Sequence, residues 1–224
     1  MNPVDSKPNV KFKSVTITSH TEISPNVFLL SFKRDFAFSA GQVLGLAMSP
    51  YDDARLYSLA SGENDENINI LYNIKPGGKL TPNLAALKPG DTIWITVPFG
   101  SYHGSDEPAY WIAAGTGIAP FISMYRSGMG GNKILIHGGR SLDSFYFSED
   151  LIPDFGPRYI RCCSQQEGEG LYHGRVTRYL EELENLPEDQ KYYLCGGAEM
   201  VVECRDILLS KGIPFNNVIA EIYF

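Results

Sequence analysis

Two regimes of hydrophobic patterning divide the chain. Up to about residue 98 the apolar residues come in short runs, several of them alternating with polar ones. Val15-Thr16-Ile17-Thr18 alternates strictly. Val27-Phe28-Leu29-Leu30-Ser31-Phe32 follows the turn signal Ser24-Pro25-Asn26, and Gly41 to Ala47 forms the next run. Alternation of this period puts successive side chains on opposite faces of a sheet. Further strands are predicted at Arg55-Leu56-Tyr57-Ser58, at 67–75 and at 91–97. Short strands separated by turn signals every ten or so residues predict an antiparallel β-barrel. One helix interrupts them, opening at Thr81-Pro82. Thr81 reads as its N-cap, Pro82 suits the first helical position, and Lys88-Pro89-Gly90 stops it.

Beyond residue 108 the pattern changes. Ala109-Tyr110-Trp111-Ile112-Ala113-Ala114 is continuously apolar, as expected of a strand buried on both faces. Helical and strand-like segments then alternate. Helices are predicted at 121–125, 145–151, 175–183 and 199–209, and strands at 133–137, 158–163, 192–195 and 218–222. That order predicts an α/β doubly wound parallel sheet. The Gly-, Pro- and Ser-rich stretch from Pro98 to Pro108 separates the regimes, giving a barrel domain over 1–103 and an α/β domain over 104–224.

Charge follows the same division. Of 224 residues with a net charge of −7, the first 103 carry nine Lys+Arg against nine Asp+Glu, and the remainder ten against seventeen. An acidic second half argues against nucleic-acid binding. No apolar run reaches membrane-spanning length, and the first fourteen residues lack the apolar block of an export signal. Cys162, Cys163, Cys195 and Cys204 match no zinc or iron–sulfur spacing. Four free thiols in a cytoplasmic protein, with no metal, are the expectation.

Three stretches carry candidate chemistry. Arg55, Tyr57 and Ser58 lie close together on one short strand. A guanidinium forks onto a pyrophosphate, a phenol ring stacks on a planar ring, and a hydroxyl bonds its edge. A core role for Tyr57 is the alternative. Gly77-Gly78-Lys79-Leu80-Thr81 leads into a helix N-terminus, an arrangement that favours anions, or else the helix is a capped plug for the barrel. Gly115-Thr116-Gly117-Ile118-Ala119-Pro120 lies between the first strand and first helix of the α/β half, where glycines let backbone approach a pyrophosphate. It reads GxGxxP and departs from the usual GxGxxG. Cys195-Gly196-Gly197 sits at another strand end, where ligands collect in such sheets.

Arg-x-Tyr-Ser at 55–58, Gly-x-x-Thr at 78–81, Gly-Thr-Gly-Ile-Ala-Pro at 115–120, Cys-Gly-Gly at 195–197 and the terminal Glu221-Ile222-Tyr223-Phe224 resemble, in this order, the ferredoxin–NADP(H) reductase superfamily, bacterial branch. The resemblance covers about 12–224. It implies an FAD enzyme that moves hydride between NAD(P)H and flavin N5 and single electrons to ferredoxin or flavodoxin; separately, a monomer is the expectation. It places Arg55, Leu56, Gly78, Lys79, Leu80 and Thr81 along the FAD, with Arg55 and Thr81 on its pyrophosphate. Tyr57 and Tyr223 fall on opposite flavin faces, Ser58 near N5, and Phe224 near the adenine. Gly115, Thr116, Gly117 and Gly196 fall along the nicotinamide coenzyme, with Cys195 and Glu221 beside the nicotinamide. Ser58, Cys195, Glu221 and Tyr223 thereby form the implied catalytic set.

The family's NADPH users often carry Ser-Arg after the third strand of this domain. Here it is Ser164-Gln165, with Glu167 and Glu169 close by. Arg140 and Arg175 remain as candidate ligands for a 2′-phosphate, or else pair with nearby carboxylates. NADPH is the expected coenzyme and NADH the alternative. Two other readings remain open: the reductase component of an oxygenase, and an electron-transfer subunit without independent turnover. An acidic acceptor would need a basic patch, for which Lys11, Lys13, Lys33, Arg34, Lys75 and Lys79 are the candidates.

Overall fold

The computed structural model describes residues 11–223; Phe224 lies outside them. Twelve strands among these residues form two six-stranded sheets. The first contains β1 (Lys13–Ser24), β2 (Val27–Lys33), β3 (Val43–Ala47), β4 (Arg55–Ser58), β5 (Asn67–Asn73) and β6 (Thr92–Ile95), all antiparallel in the order β4-β3-β6-β1-β2-β5. Its two edges meet. Leu59 bridges Ile70, and the Ala60 N–H donates to Asn69 O at 2.9 Å, which closes the barrel. Inward-facing Ile17, Leu30, Phe32, Leu44, Leu46, Ile68 and Ile93 are fully buried. Burying one such side chain contributes about 1.5–3 kcal/mol, so the alternating pattern selects this register.

The second sheet is wholly parallel. It contains β7 (Ala109–Ala114), β8 (Lys133–Gly139), β9 (Tyr159–Cys163), β10 (Leu171–His173), β11 (Lys191–Gly197) and β12 (Val218–Tyr223), in the order β10-β9-β8-β7-β11-β12. β7 is central, which is why 109–113 are buried on both faces. The chain runs outward from β7 to β10 and returns on the other side at β11, creating a topological switch point at the strands' carboxyl ends. Its longer helices are α2 (Ala119–Met124), α3 (Ser148–Phe155), α4 (Val176–Glu182) and α5 (Ala198–Ser210).

Three expectations are corrected. The first helix, α1 (Thr81–Ala85), has Leu80 at the N-cap position, and Thr81 caps nothing. Its hydroxyl accepts instead from the Lys75 N–H at 2.8 Å, closing the glycine loop. The helix predicted at 145–151 begins only at Ser148, because Phe147 sits in the left-handed region at φ 61°. β10 was not predicted at all; a three-residue strand is too short for periodicity to reveal.

The two sheets share packing. Val27, Ala40, Ala60, Leu71 and Tyr102 lie in one apolar cluster with Trp111, Phe121 and Met124. Ser123 Oγ donates to Ser61 O at 2.6 Å and Tyr102 OH to Leu194 O at 3.1 Å. This shared core holds β4 against the ends of β11 and β12.

Candidate active site

β11 and β12 are parallel neighbours whose register pairs Cys195 with Glu221. Ser58 at the end of β4 faces them, almost wholly buried. Its hydroxyl donates to Glu221 Oε1, and the Tyr223 hydroxyl donates to Ser58 Oγ at 2.7 Å. The Cys195 thiol reaches the same Glu221 oxygen at 3.9 Å. Four residues named from the sequence thus converge, one from the barrel and three from the parallel sheet.

Electrostatics give this cluster a direction. Burial raises the Glu221 carboxyl above its usual range, against the pull of hydrogen bonds from Ser58 and Cys195. Burial, then the nearby Glu221 charge, pushes the Cys195 thiol well up, so it is a proton-bearing donor and not a thiolate. Burial also pushes the Tyr223 hydroxyl well up, with Cys195 and Glu221 adding to it. Two hydroxyls and a thiol are therefore arranged as donors that end on one carboxyl oxygen.

Tyr57 stands beside this cluster, half-buried. Its ring meets Tyr72 edge-on, with centroids 6.3 Å apart. Burial, partly offset by Arg55, takes its hydroxyl to about 12. Tyr72 is itself fixed, its hydroxyl 2.8 Å from His20 Nε2 while His20 Nδ1 lies 2.8 Å from Leu87 O. Tyr57 is thus a flat surface on a rigid support. Arg55 and Leu56 are exposed, and Leu56 keeps 59% of its surface in water despite its strand position. Past β5, the Gly78 N–H bonds Lys75 O at 2.9 Å, and a Cβ at Gly78 would come within 2.9 Å of that oxygen. Lys79 is exposed and Leu80 packs on the barrel core, so of these two the backbone faces the loop. Thr81 keeps its hydroxyl proton for an outside acceptor, since its oxygen accepts from Lys75.

A groove of about 920 Å³ runs along the carboxyl ends of β7, β8, β9 and β11. Gly115, Thr116, Arg140, Ser164 and Arg175 all line it, as does Gly197 beside Gly196. Gly115 has φ +54°, and Gly196, at φ +154°, leaves room for Met200. Gly117 is where β11 comes closest. A Cβ there would lie 2.3 Å from Cys195 O. Gly117→Ala is therefore expected to destabilise the fold by about 1–3 kcal/mol, because rigid backbone has to yield. At about 2–4 °C per kcal/mol, thermal unfolding should fall by several degrees, and an unchanged midpoint would contradict the close contact.

The Arg140 backbone is pinned by the end of β9, with Gln165 N–H to Arg140 O at 3.0 Å and Cys163 Sγ to the same oxygen at 3.4 Å. Among the described residues neither Arg140 nor Arg175 has a carboxylate within ion-pair distance. Two unpaired cations, the Thr116 and Ser164 hydroxyls and glycine backbone suit an anionic dinucleotide. Sequence reasoning missed several lining residues. Ser24, Asn26 and Asn73 reach the groove from the barrel, and Tyr146 from the loop before α3. It also missed His137, fully buried on β8 under the glycine loop. Its signal was a histidine at the end of the apolar run Ile134-Leu135-Ile136, just before Gly138-Gly139.

The profile of the oxidoreductase FAD-binding domain matches residues 14–103, and that of the oxidoreductase NAD-binding domain matches 111–206. The flavodoxin/ferredoxin–NADP reductase of Escherichia coli (strain K12) is 31% identical over 73% of this chain and 76% of its own length. The chain belongs to the ferredoxin–NADP(H) reductase superfamily. The chain is also 28% identical to the toluate 1,2-dioxygenase electron transfer component of Pseudomonas putida, over 92% of this chain and 66% of that protein. In fold it resembles a ferredoxin NADP+ reductase from Neisseria gonorrhoeae solved with FAD and NADP, with a TM-score of 0.86, 20% identity, and 96% and 99% of the two chains covered. The chain is an FAD- and NAD(P)-binding oxidoreductase of a family that includes ferredoxin–NADP reductases and oxygenase reductase components. No helix among its described residues is long and apolar enough to cross a membrane.

Proposed function

We propose that this reductase oxidises NADPH at FAD and passes electrons to ferredoxin or flavodoxin in the cytoplasm, with the domain boundary at 103/104. Bound FAD supplies the ability to accept a hydride and release electrons singly. The residues of the chain bind and orient. Arg55 and the Gly78–Thr81 loop hold the pyrophosphate, and Tyr57 presents its ring to one flavin face. Ser58, whose proton goes to Glu221 and whose oxygen accepts from Tyr223, would stand beside N5, its oxygen fixed there by both partners. Tyr223 occupies the opposite face, where the nicotinamide must come to rest. Gly115, Thr116, Gly196 and the groove beyond hold the coenzyme, with Arg140 and Arg175 on the 2′-phosphate. Cys195 gives the nicotinamide a neutral, proton-bearing neighbour.

One observation carries this reading. Ser58 of the barrel is hydrogen-bonded to both Glu221 and Tyr223 of the parallel sheet, so the flavin strand and the coenzyme sheet form a single polar centre. The purified protein should be yellow, and denaturation should release FAD. FMN, or no flavin after reconstitution, would contradict the assignment of Arg55 and Thr81 to a pyrophosphate.

Tyr223 should behave as a displaceable ring. Tyr223→Ser should tighten nicotinamide binding severalfold and weaken discrimination against NADH, since an aromatic contact contributes about 0.5–1.5 kcal/mol. Titration of flavin absorbance with NADP+ and NAD+ measures this, and unchanged affinities for both would remove Tyr223 from that position.

The similarity to the toluate dioxygenase component favours a second reading, an oxygenase reductase with a dedicated acceptor. Part of the candidate basic patch is already engaged: Lys13 pairs with Asp35, and Arg34 Nε donates to Asp65 O at 2.6 Å. Steady-state rates with ferredoxin, flavodoxin and ferricyanide separate the readings. Turnover with ferricyanide alone would favour the dedicated acceptor.

A further inference from the structure

We propose that His137 is a positioning residue that turns the Gly115–Thr116 peptide toward the nicotinamide coenzyme; this rests on the reading of the groove as the coenzyme site. His137 lies near the carboxyl end of β8, opposite Ala113 of β7. Its Nε2 is 3.3 Å from Gly115 O and its Nδ1 is 3.1 Å from the Tyr159 hydroxyl. Both ring nitrogens are therefore committed.

The chemistry of the partners fixes which nitrogen carries the proton. A carbonyl oxygen only accepts, so Nε2 must donate to Gly115. Burial lowers the imidazole to about 4, so the ring is neutral at neutral pH and Nδ1 presents a lone pair. Tyr159, whose hydroxyl burial pushes up, is then the donor to Nδ1. The order is Tyr159 hydroxyl to His137 to Gly115 carbonyl. Aromatic neighbours hold the ring in place. Phe145 meets it edge-on at 5.4 Å, and Tyr159 stacks at 21°.

The consequence reaches the groove through one peptide plane. In a trans peptide the C=O of one residue and the N–H of the next point in opposite directions. With the Gly115 carbonyl drawn to His137 inside the sheet, the Thr116 N–H is aimed away from it. Gly115 and Thr116 both line the groove. Gly115 adopts φ +54° at this junction, a conformation open to glycine at little cost. That freedom also means the residue does not hold its own orientation, and His137 supplies what the glycine lacks.

The test uses the FAD-loaded full chain with NADPH and ferricyanide, together with NADP+ affinity from flavin absorbance. His137→Phe should raise KM for NADPH and Kd for NADP+ about tenfold, with kcat and FAD content held near wild type, since the buried bond to Gly115 O is lost together with the one from Tyr159 that supports it. His137→Gln keeps an N–H near the Nε2 position and should restore both constants to within about threefold of wild type. Tyr159→Phe removes the donor to Nδ1 and should raise both constants a few-fold. It carries the test with His137→Gln if His137→Phe does not fold. Equal KM increases in the Gln and Phe variants would make His137 a packing residue and overturn the proposal, as would unchanged NADP+ affinity in a folded, FAD-loaded Phe variant. A wild type that oxidises neither NADPH nor NADH would instead overturn the underlying reading of the groove.

Discussion

Ser58→Ala should lower the rate of flavin reduction by NADPH about 100-fold while leaving FAD bound, because misplacing reacting groups by as little as 1 Å costs about that factor. Ser58 links two of the other three members of the cluster: its oxygen accepts from Tyr223, and its proton goes to Glu221. Alanine deletes both bonds at once. The Tyr223 hydroxyl then has no acceptor on β4, and Glu221 keeps only the longer contact with Cys195. Glu221 is already raised by burial, and losing a donor raises it further, so the carboxyl is more readily neutral. FAD should stay bound because Arg55, Tyr57 and the Gly78–Thr81 loop do not depend on this hydroxyl. Anaerobic rapid mixing of FAD-loaded variant and wild type measures the effect. A rate within about threefold of wild type, at equal FAD content, would show that the Ser58 bonds serve only the fold.

Arg140→Ala and Arg175→Ala should each lower kcat/KM for NADPH roughly tenfold to a hundredfold and leave NADH nearly untouched, from about 1.5–3 kcal/mol for a charge-assisted contact. Both arginines line the groove at the carboxyl ends of the parallel strands, and neither has an ion-pair partner among the described residues. Gln165 stands where NADPH users of the family often carry an arginine, and its backbone N–H holds the Arg140 carbonyl. The third-strand loop thereby positions the arginine of the second strand. Equal losses with both coenzymes would place the arginines on a shared pyrophosphate. A wild type that prefers NADH would remove the 2′-phosphate assignment.

How much of this was legible in the sequence differs from element to element. The barrel and the parallel sheet were legible because alternation and continuous burial are local signals, and β7 shows the second plainly. The cluster was not legible from spacing. Ser58 and Glu221 are 163 positions apart, and only the order of the motifs suggested that they belong together. Thr81 has the right identity for an N-cap, but the Lys75 N–H, six residues back, competes for its hydroxyl and wins. The start of α3 was missed because Phe145-Tyr146-Phe147 looks like helix core, while the left-handed Phe147 breaks the run. His137 was overlooked because a histidine among Ile and Leu reads as core, and only the fold brings the Gly115 carbonyl to it.

The central claim is that coenzyme and flavin meet at the Ser58–Glu221–Cys195–Tyr223 cluster. Anaerobic mixing of the FAD-loaded protein with NADPH, without any electron acceptor, tests it most directly, with Glu221→Gln compared side by side. Wild type should lose its flavin absorbance near 450 nm in a single fast phase. Glu221→Gln, which keeps the shape but replaces the carboxyl that accepts hydrogen bonds from Ser58 and Cys195, should bleach at least about tenfold more slowly, since unmaking a buried hydrogen bond costs about 1–3 kcal/mol. A wild-type flavin that stays oxidised with both NADPH and NADH, or a Glu221→Gln protein that bleaches at the wild-type rate, would contradict it.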